Sequence, residues 1–242
     1  MKAANLFVLV LMIPIISCSD KHKAGSLNAA NLEEQAALKA NLIGSFVGNF
    51  GDNKITLLIT RATSDSVSGR TIVGGNDRPF IGTVNYSADV YTINAKEPGN
   101  DPQDGVFNFS MDTKIPGEVK GNWAPYKPAA NIRTKEYSLK RRAFIYSKEV
   151  GEYPEASGRL LVENDVNNLA KEELEYMRNE IFARHGYCFK KKFLREDFEN
   201  QEWYVPNTVD VKKDLTEIER KNILLIMKFE KYALEYGDDF GR

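Results

Sequence analysis

Apolar and polar residues alternate between residues 44 and 144, and this pattern limits what the chain can fold into more than any other feature. Ile55, Leu57 and Ile59 alternate with Thr56 and Thr60. Phe107, Phe109 and Met111 alternate with Asn108, Ser110 and Asp112, and Val119 and Trp123 flank Gly121 with Lys120 and Asn122 between them. A period of two puts one face in a core and the other in water. Turn-forming runs separate these stretches: Gly51-Asp52-Asn53, Gly74-Gly75-Asn76-Asp77, Glu97-Pro98-Gly99-Asn100-Asp101-Pro102 and Pro116-Gly117. The pattern predicts about eight short strands, near residues 45–50, 54–61, 65–73, 79–86, 89–95, 105–111, 117–123 and 134–143. Consecutive strands with tight turns form an antiparallel meander, and closing it into a barrel removes the exposed edges.

The opening run Gly44-Ser45-Phe46-Val47-Gly48-Asn49-Phe50 resembles the first strand of lipocalin- and avidin-type barrels, which favours a barrel over a sandwich. The predicted fold class is α+β, an N-terminal antiparallel β-barrel over residues 42–145 followed by a small helical domain over residues 164–242. Residues 146–163 are expected to connect the two and to pack along their junction. In the helical part Leu174, Met177, Ile181 and His185 recur at steps of three and four, which places them on one helix face. Gly186 then suits a left-handed helix end. A short helix is expected near residues 193–200, where Leu194 and Phe198 pair four apart, with Pro206 beyond it. Thr216-Glu217-Ile218-Glu219 has the form of a capping box opening a last helix, whose apolar stripe runs through Ile218, Leu225, Phe229, Ala233 and Tyr236.

At the N-terminus, Lys2 is followed by an apolar stretch over residues 6–16, short for crossing a bilayer. It ends in Ile15-Ile16-Ser17-Cys18, followed at once by Ser19-Asp20-Lys21-His22-Lys23. Aliphatic, aliphatic, small, Cys is similar to a bacterial lipobox. That resemblance implies a lipoprotein signal peptide over residues 1–17, a lipid-modified Cys18 and a membrane-anchored protein of the cell envelope. It would sit at the outer membrane or the periplasmic face of the inner one; Asp20 does not decide between them. Two or more acyl chains hold a protein stably where one does not. The alternatives are an ordinary cleaved signal or an anchor helix. Residues 18–41 read as a tether, either a flexible spacer or a short helix capped by Asn31 with Glu33 and Glu34 in its first turn.

The helical part also carries Asn179-Glu180-Ile181-Phe182-Ala183-Arg184-His185-Gly186-Tyr187, then Phe189, Phe198, Trp203-Tyr204, Pro206, Asn222 and Glu230. In order and spacing this resembles the YARHG domain of exported bacterial proteins, over about residues 164–232, with Phe182 in place of the usual Tyr. The resemblance implies a domain to which no enzymatic activity is attached. Read physically, two roles remain open. In one the motif is architecture: Glu180 and Arg184 pair four apart, worth a few tenths of a kcal/mol if exposed. Positive charge in the last turn suits the helix dipole, and Tyr187, Phe189, Phe198, Trp203 and Tyr204 close a core over Ile181. In the other, Arg184, His185, Tyr187, Trp203 and Tyr204 line a shallow pocket for a carboxylate-bearing sugar, such as a muropeptide or anionic glycan.

Other chemistry has less support. The net charge of −1 gives no global field to attract nucleic acid. The two histidines, His22 and His185, are far apart, and one useful His with one Cys does not make a tetrahedral zinc site; no cofactor is expected. Cys188 lies three residues after His185, yet between Tyr187 and Phe189 it reads as a small buried apolar residue more than a nucleophile. Gly74-Gly75-Asn76-Asp77 is too short to cradle phosphate. Glu97, Asp101 and Asp104 read as a polar turn, with a weak calcium site as the alternative. Lys190-Lys191-Lys192 reads as a solvated face, with anionic lipid head groups as the alternative partner. The leading function is a non-catalytic binding module for a glycan, a peptidoglycan fragment or an envelope protein. The alternatives are a small-molecule carrier with its ligand inside the barrel, and a hydrolase using His185. Inward-pointing Phe50, Phe80, Phe107, Phe109 and Trp123 would fill the barrel and weaken the carrier reading.

Overall fold

Eight strands run in chain order and close on themselves: β1 (Gly44–Phe50), β2 (Asn53–Ala62), β3 (Ser66–Val73), β4 (Asn76–Ser87), β5 (Val90–Lys96), β6 (Gly105–Asp112), β7 (Glu118–Pro125) and β8 (Lys135–Arg141). The computed structural model describes residues 33, 36–38, 40–101, 104–127 and 133–236. The leader, Cys18, most of the tether and the Pro102 end of the β5–β6 loop lie outside the described residues. Every neighbouring pair is antiparallel, and the barrel closes where Phe46 meets Arg141 and Val47 meets Lys140. Each expected strand is present, with ends displaced by at most a few residues.

The alternation builds one core. Phe46, Phe50, Ile55, Leu57, Ile59, Phe80, Ile93, Phe107, Phe109, Val119, Trp123 and Leu139 are all buried in a single cluster, and Leu38 and Leu42 pack against it from the segment before β1. An eight-stranded barrel is just wide enough for such side chains to fill it. Phe50, Phe80, Phe107, Phe109 and Trp123 all belong to this packed interior, so the centre of the barrel is solid.

Two residues break the alternation informatively. Thr56 and its cross-strand partner Ile72 point away from Ile55 and Leu57, yet both are buried. The helical half covers them: Thr56 Oγ1 donates to Pro206 O at 2.5 Å. Around this contact Lys54 N donates to Glu199 Oε2 at 2.8 Å, and Arg70 Nη2 to Asn207 O at 3.2 Å. The β3–β4 turn completes the seam. Gly75, at φ 80°, donates its N–H to Cys188 Sγ at 3.2 Å, and a Cβ there would lie 2.7 Å from Lys190 Cα. Only glycine permits both the left-handed backbone and that approach.

The helical half contains α1 (Glu155–Gly158), α2 (Glu163–Val166), α3 (Lys171–Arg184), α4 (Lys192–Glu199) and α5 (Glu217–Tyr236). The capping box forms at α5: Glu219 Oε2 accepts from Thr216 N at 2.8 Å, and Thr216 Oγ1 from Glu219 N at 3.2 Å. The half has two cores where one was expected. Leu174, Met177 and Ile181 of α3 pack with Ala156, Leu161, Val166 and Ile226. Phe189, Leu194, Phe198 and Tyr204 form the other with Ala183. Ile181 belongs to the first core, not to the aromatic one. Residues 146–163, expected to be a connector, supply Tyr153, Ala156 and Leu161 to the first core. No helix among the described residues is long and apolar enough to cross a membrane.

Candidate functional site

The end of α3 was the expected site, and the structure turns most of it inward. Arg184 is 1% exposed and His185 6% exposed. Arg184 Nη2 meets Glu180 Oε2 at 2.5 Å, its Nε donates to Val150 O at 2.8 Å, and its Nη1 to Ser157 Oγ at 3.1 Å. Glu180 also accepts the backbone N–H groups of Glu152 and Tyr153 at 2.7 and 2.8 Å. Burial pushes the Glu180 carboxyl up and Arg184 opposes this; burial likewise lowers Arg184. The i,i+4 pair is thus fully buried, because residues 150–157 fold over it.

His185 Nε2 hydrogen-bonds Glu219 Oε2 at 2.8 Å, and its ring stacks on Tyr146 with centroids 4.5 Å apart. Tyr146 Oη donates to Glu219 Oε1 at 3.1 Å. Gly186 (φ 72°) reverses the chain, and its carbonyl accepts from Asn207 N at 2.8 Å. The motif therefore pins three distant segments together. Tyr204 is 1% exposed, with its hydroxyl on Tyr187 O at 2.8 Å, and Trp203 packs edge-on to Phe198. Arg184, His185, Trp203 and Tyr204 do not come together as a pocket; of the five expected ligand-binding residues, Tyr187 alone lines the groove described below.

Glu219 gives this network a measurable signature. Burial alone would raise its carboxyl, but hydrogen bonds from His185, the Thr216 backbone and Ser157 outweigh it and hold the group at about 2, below the ordinary 4.5. A depressed carboxylate contributes stability that is fully present above the unfolded value of 4.5 and is lost as pH falls toward 2. Acidification over that window should cost on the order of 2 kcal/mol from this group. In urea titrations at several pH values His185→Asn should lose less over the same window; an identical acid loss in the variant would disconnect His185 from the effect.

Beside the buried motif lies an open groove of about 790 Å³. Phe182, Tyr187, Phe189, Leu194, Val211 and Leu215 make its floor, and Ile223 and Leu224 of α5 one wall. Its polar lining is cationic: Arg178, Lys190, Lys191, Lys212 and Arg220 against Glu175 and Asp210. Arg178 is tied to Glu230 at 2.8 Å, and Lys191 reaches Glu175 at 3.4 Å. The ammonium groups of Lys190 and Lys212 form no ion pair among the described residues, though Lys212 N donates to Asp210 Oδ1 at 3.0 Å. Leu224 is 68% exposed. An apolar floor with a few convergent polar groups is the usual form of a ligand site. Lys190-Lys191-Lys192 and Tyr187 stand out in the sequence, whereas Lys212, Arg220 and Leu224 do not. The available signal was Leu224, an apolar residue off the buried stripe of α5.

The remaining candidates are engaged elsewhere. Cys188 is buried, accepts the Gly75 N–H, and has its thiol pushed up to about 11 by burial. Among the described residues no hydrogen bond joins it to His185. Asp104 pairs with Arg78, and Glu97 accepts Gly105 N at 2.9 Å and Trp123 Nε1 at 3.1 Å. Protein donors thus occupy the acids of the β5–β6 loop, and among the described residues no group of three or more ligating side chains could hold a metal.

No curated protein and no solved structure matches the chain. Residues 151–231 match the YARHG domain family, a span that takes in α1 to α4, the motif, the groove and most of α5. Residues 151–231 thus carry a YARHG domain, which follows a closed eight-stranded barrel in the chain.

Proposed function

We propose that this is a non-catalytic binding module of the bacterial cell envelope, held to a membrane by lipid on Cys18, and that its site is the groove of the YARHG domain. Support for the location is the lipobox-like Ile15-Ile16-Ser17-Cys18 run together with a domain that resembles those of exported proteins. The observation that carries the binding reading is the groove itself, an apolar floor under a rim of five cations and two acids. Such a surface suits a ligand with apolar parts and several carboxylates, as in the peptide stems of peptidoglycan or an acidic segment of an envelope protein. On this reading carboxylate recognition falls to Lys190, Lys191, Lys212 and Arg220, beside Tyr187, and not to Arg184 and His185.

The test is co-sedimentation of the full chain, in mild detergent, with purified peptidoglycan sacculi. Lys191→Glu/Lys212→Glu and Leu224→Asp are surface changes that leave both helical cores intact. Saturable binding should fall at least about tenfold in the charge-reversed variant, as expected when close charge pairs are inverted. Absence of wild-type binding would remove peptidoglycan as the ligand. Full binding by both variants would place the site outside the groove.

A further inference from the structure

One rim of the barrel collects chemistry that the YARHG groove does not use. In an up-and-down barrel the ends of odd strands and the starts of even strands share a rim. Here that rim brings together Phe50, Phe107, Trp123, Arg78, Glu97 and Lys135, and the helical half adds Arg195 from α4. They line a cup of about 300 Å³, to which Arg133 also contributes. Phe50 and Phe107 stack with centroids 6.0 Å apart, and Trp123 stands edge-on to Phe50 at 6.0 Å. Glu97, 4% exposed, fixes the indole by accepting its N–H at 3.1 Å. The aromatic wall is therefore rigid.

The cations divide into two sets. Arg78 is neutralised by Asp104, and Arg195 donates to Asn53 Oδ1 at 2.9 Å. Lys135 lies over Phe50, 4.5 Å from its centroid, and 5.8 Å from that of Trp123. Among the described residues neither Lys135 nor Arg133 has a carboxylate within 4 Å. Burial lowers the Lys135 ammonium and the Asp52 carboxylate opposes this without outweighing it, so the charge is partly desolvated. Just inside, the Tyr137 hydroxyl is buried with no hydrogen-bond partner among the described residues, and its ring lies 5.9 Å from Phe50 and 6.0 Å from Phe107. A half-buried ammonium with no direct ion pair, beside fixed aromatic faces, is stabilised when an anion completes it.

We propose that this cup is a second binding site, for a small organic anion in which a carboxylate or phosphate is attached to a flat apolar body. Lys135 and Arg133 receive the charged group, and Phe50, Phe107 and Trp123 hold the body. A site of this volume suits a ligand of about one ring. Because Arg195 reaches the rim from the YARHG domain, an occupant also fastens that domain to the barrel.

Trp123 reports on the cup directly. The chain has two tryptophans, so Trp203→Phe leaves Trp123 as the sole emitter. The full chain with that change, in mild detergent, is titrated with phenyl phosphate, benzoate and phenethylamine. We expect a saturable change in Trp123 emission with one or both anions and none with the amine. Lys135→Gln/Arg133→Gln should weaken the anion response at least about tenfold, while Lys191→Glu/Lys212→Glu in the groove should leave it unchanged. Circular dichroism establishes that each variant is folded. Absence of a saturable response to either anion overturns the proposal. So does an equal response to the amine, or undiminished binding by the folded Lys135→Gln/Arg133→Gln variant.

Discussion

Arg184→Ala is expected to cost about 3–5 kcal/mol of stability, the loss typical of breaking one side of a buried ion pair. Both side chains of the Arg184–Glu180 pair are fully buried. Removing the guanidinium leaves the Glu180 carboxylate with only the Glu152 and Tyr153 N–H groups, and strips the donors from Val150 O and Ser157 Oγ. The double variant Arg184→Ala/Glu180→Gln should recover part of the loss, because no charge is then stranded. The pH dependence has a definite sign. In Arg184→Ala the folded-state pKa of Glu180 rises further, so the deficit is full above that value and shrinks as pH falls through it. Urea unfolding followed by helical circular dichroism measures all three quantities. A loss below about 1 kcal/mol would mean that the pair is solvated and that the motif does not clamp residues 150–157.

Phe198→Ala should cost a similar amount, about 3–5 kcal/mol, through the cavity it opens. Phe198 has no exposed surface and lies at the centre of the aromatic core. Its ring stacks on Phe189 and on Tyr176, each with centroids 5.0 Å apart, and touches Trp203 and Tyr204 at 6.3 and 6.2 Å. Phe198 is also on α4, whose Glu199 and Arg195 hold Lys54 and Asn53 of β2. The variant should therefore loosen the seam as well as the core, with Trp203 emission shifting to the red while the barrel's β-sheet circular dichroism persists. A loss under about 1 kcal/mol would show that the neighbouring rings collapse into the space.

Both expectations concern residues visible in the sequence, but for different reasons. Phe198 was legible as core because Leu194 and Phe198 pair four apart on a short helix, and burying that stripe is what stabilises such a helix. The Glu180–Arg184 spacing was equally legible, but its burial was not. An i,i+4 separation places two side chains together without saying whether water reaches them. Residues 150–157 exclude that water, and nothing in the local pattern of α3 indicates that they do. The His185–Glu219 bond joins residues 34 apart in the chain, so the capping box at Thr216 was readable while its extra partner was not.

The candidate sites were less legible than the fold for a related reason. Lys190, Lys191, Lys212 and Arg220 are scattered through a sequence whose net charge is near zero, and their convergence on one groove depends on the path from α3 through Pro206 to α5. In the same way Lys135, Trp123, Phe50 and Arg195 meet because strand ends share a rim and α4 packs beside it.

By itself the sequence determined the local alternatives. Period two made strands of residues 44–141, period 3.6 made the main helices, and glycine, proline and capping residues placed most of their ends, since each is a steric or hydrogen-bonding constraint within a few residues. Only the tertiary structure decided that the meander closes through Phe46 and Arg141, that Thr56 and Ile72 are covered, and that Arg184 faces inward while Lys212 faces a groove. Those outcomes depend on which distant surfaces meet, and burial and long-range pairing are properties of that meeting, beyond the reach of any short stretch of chain.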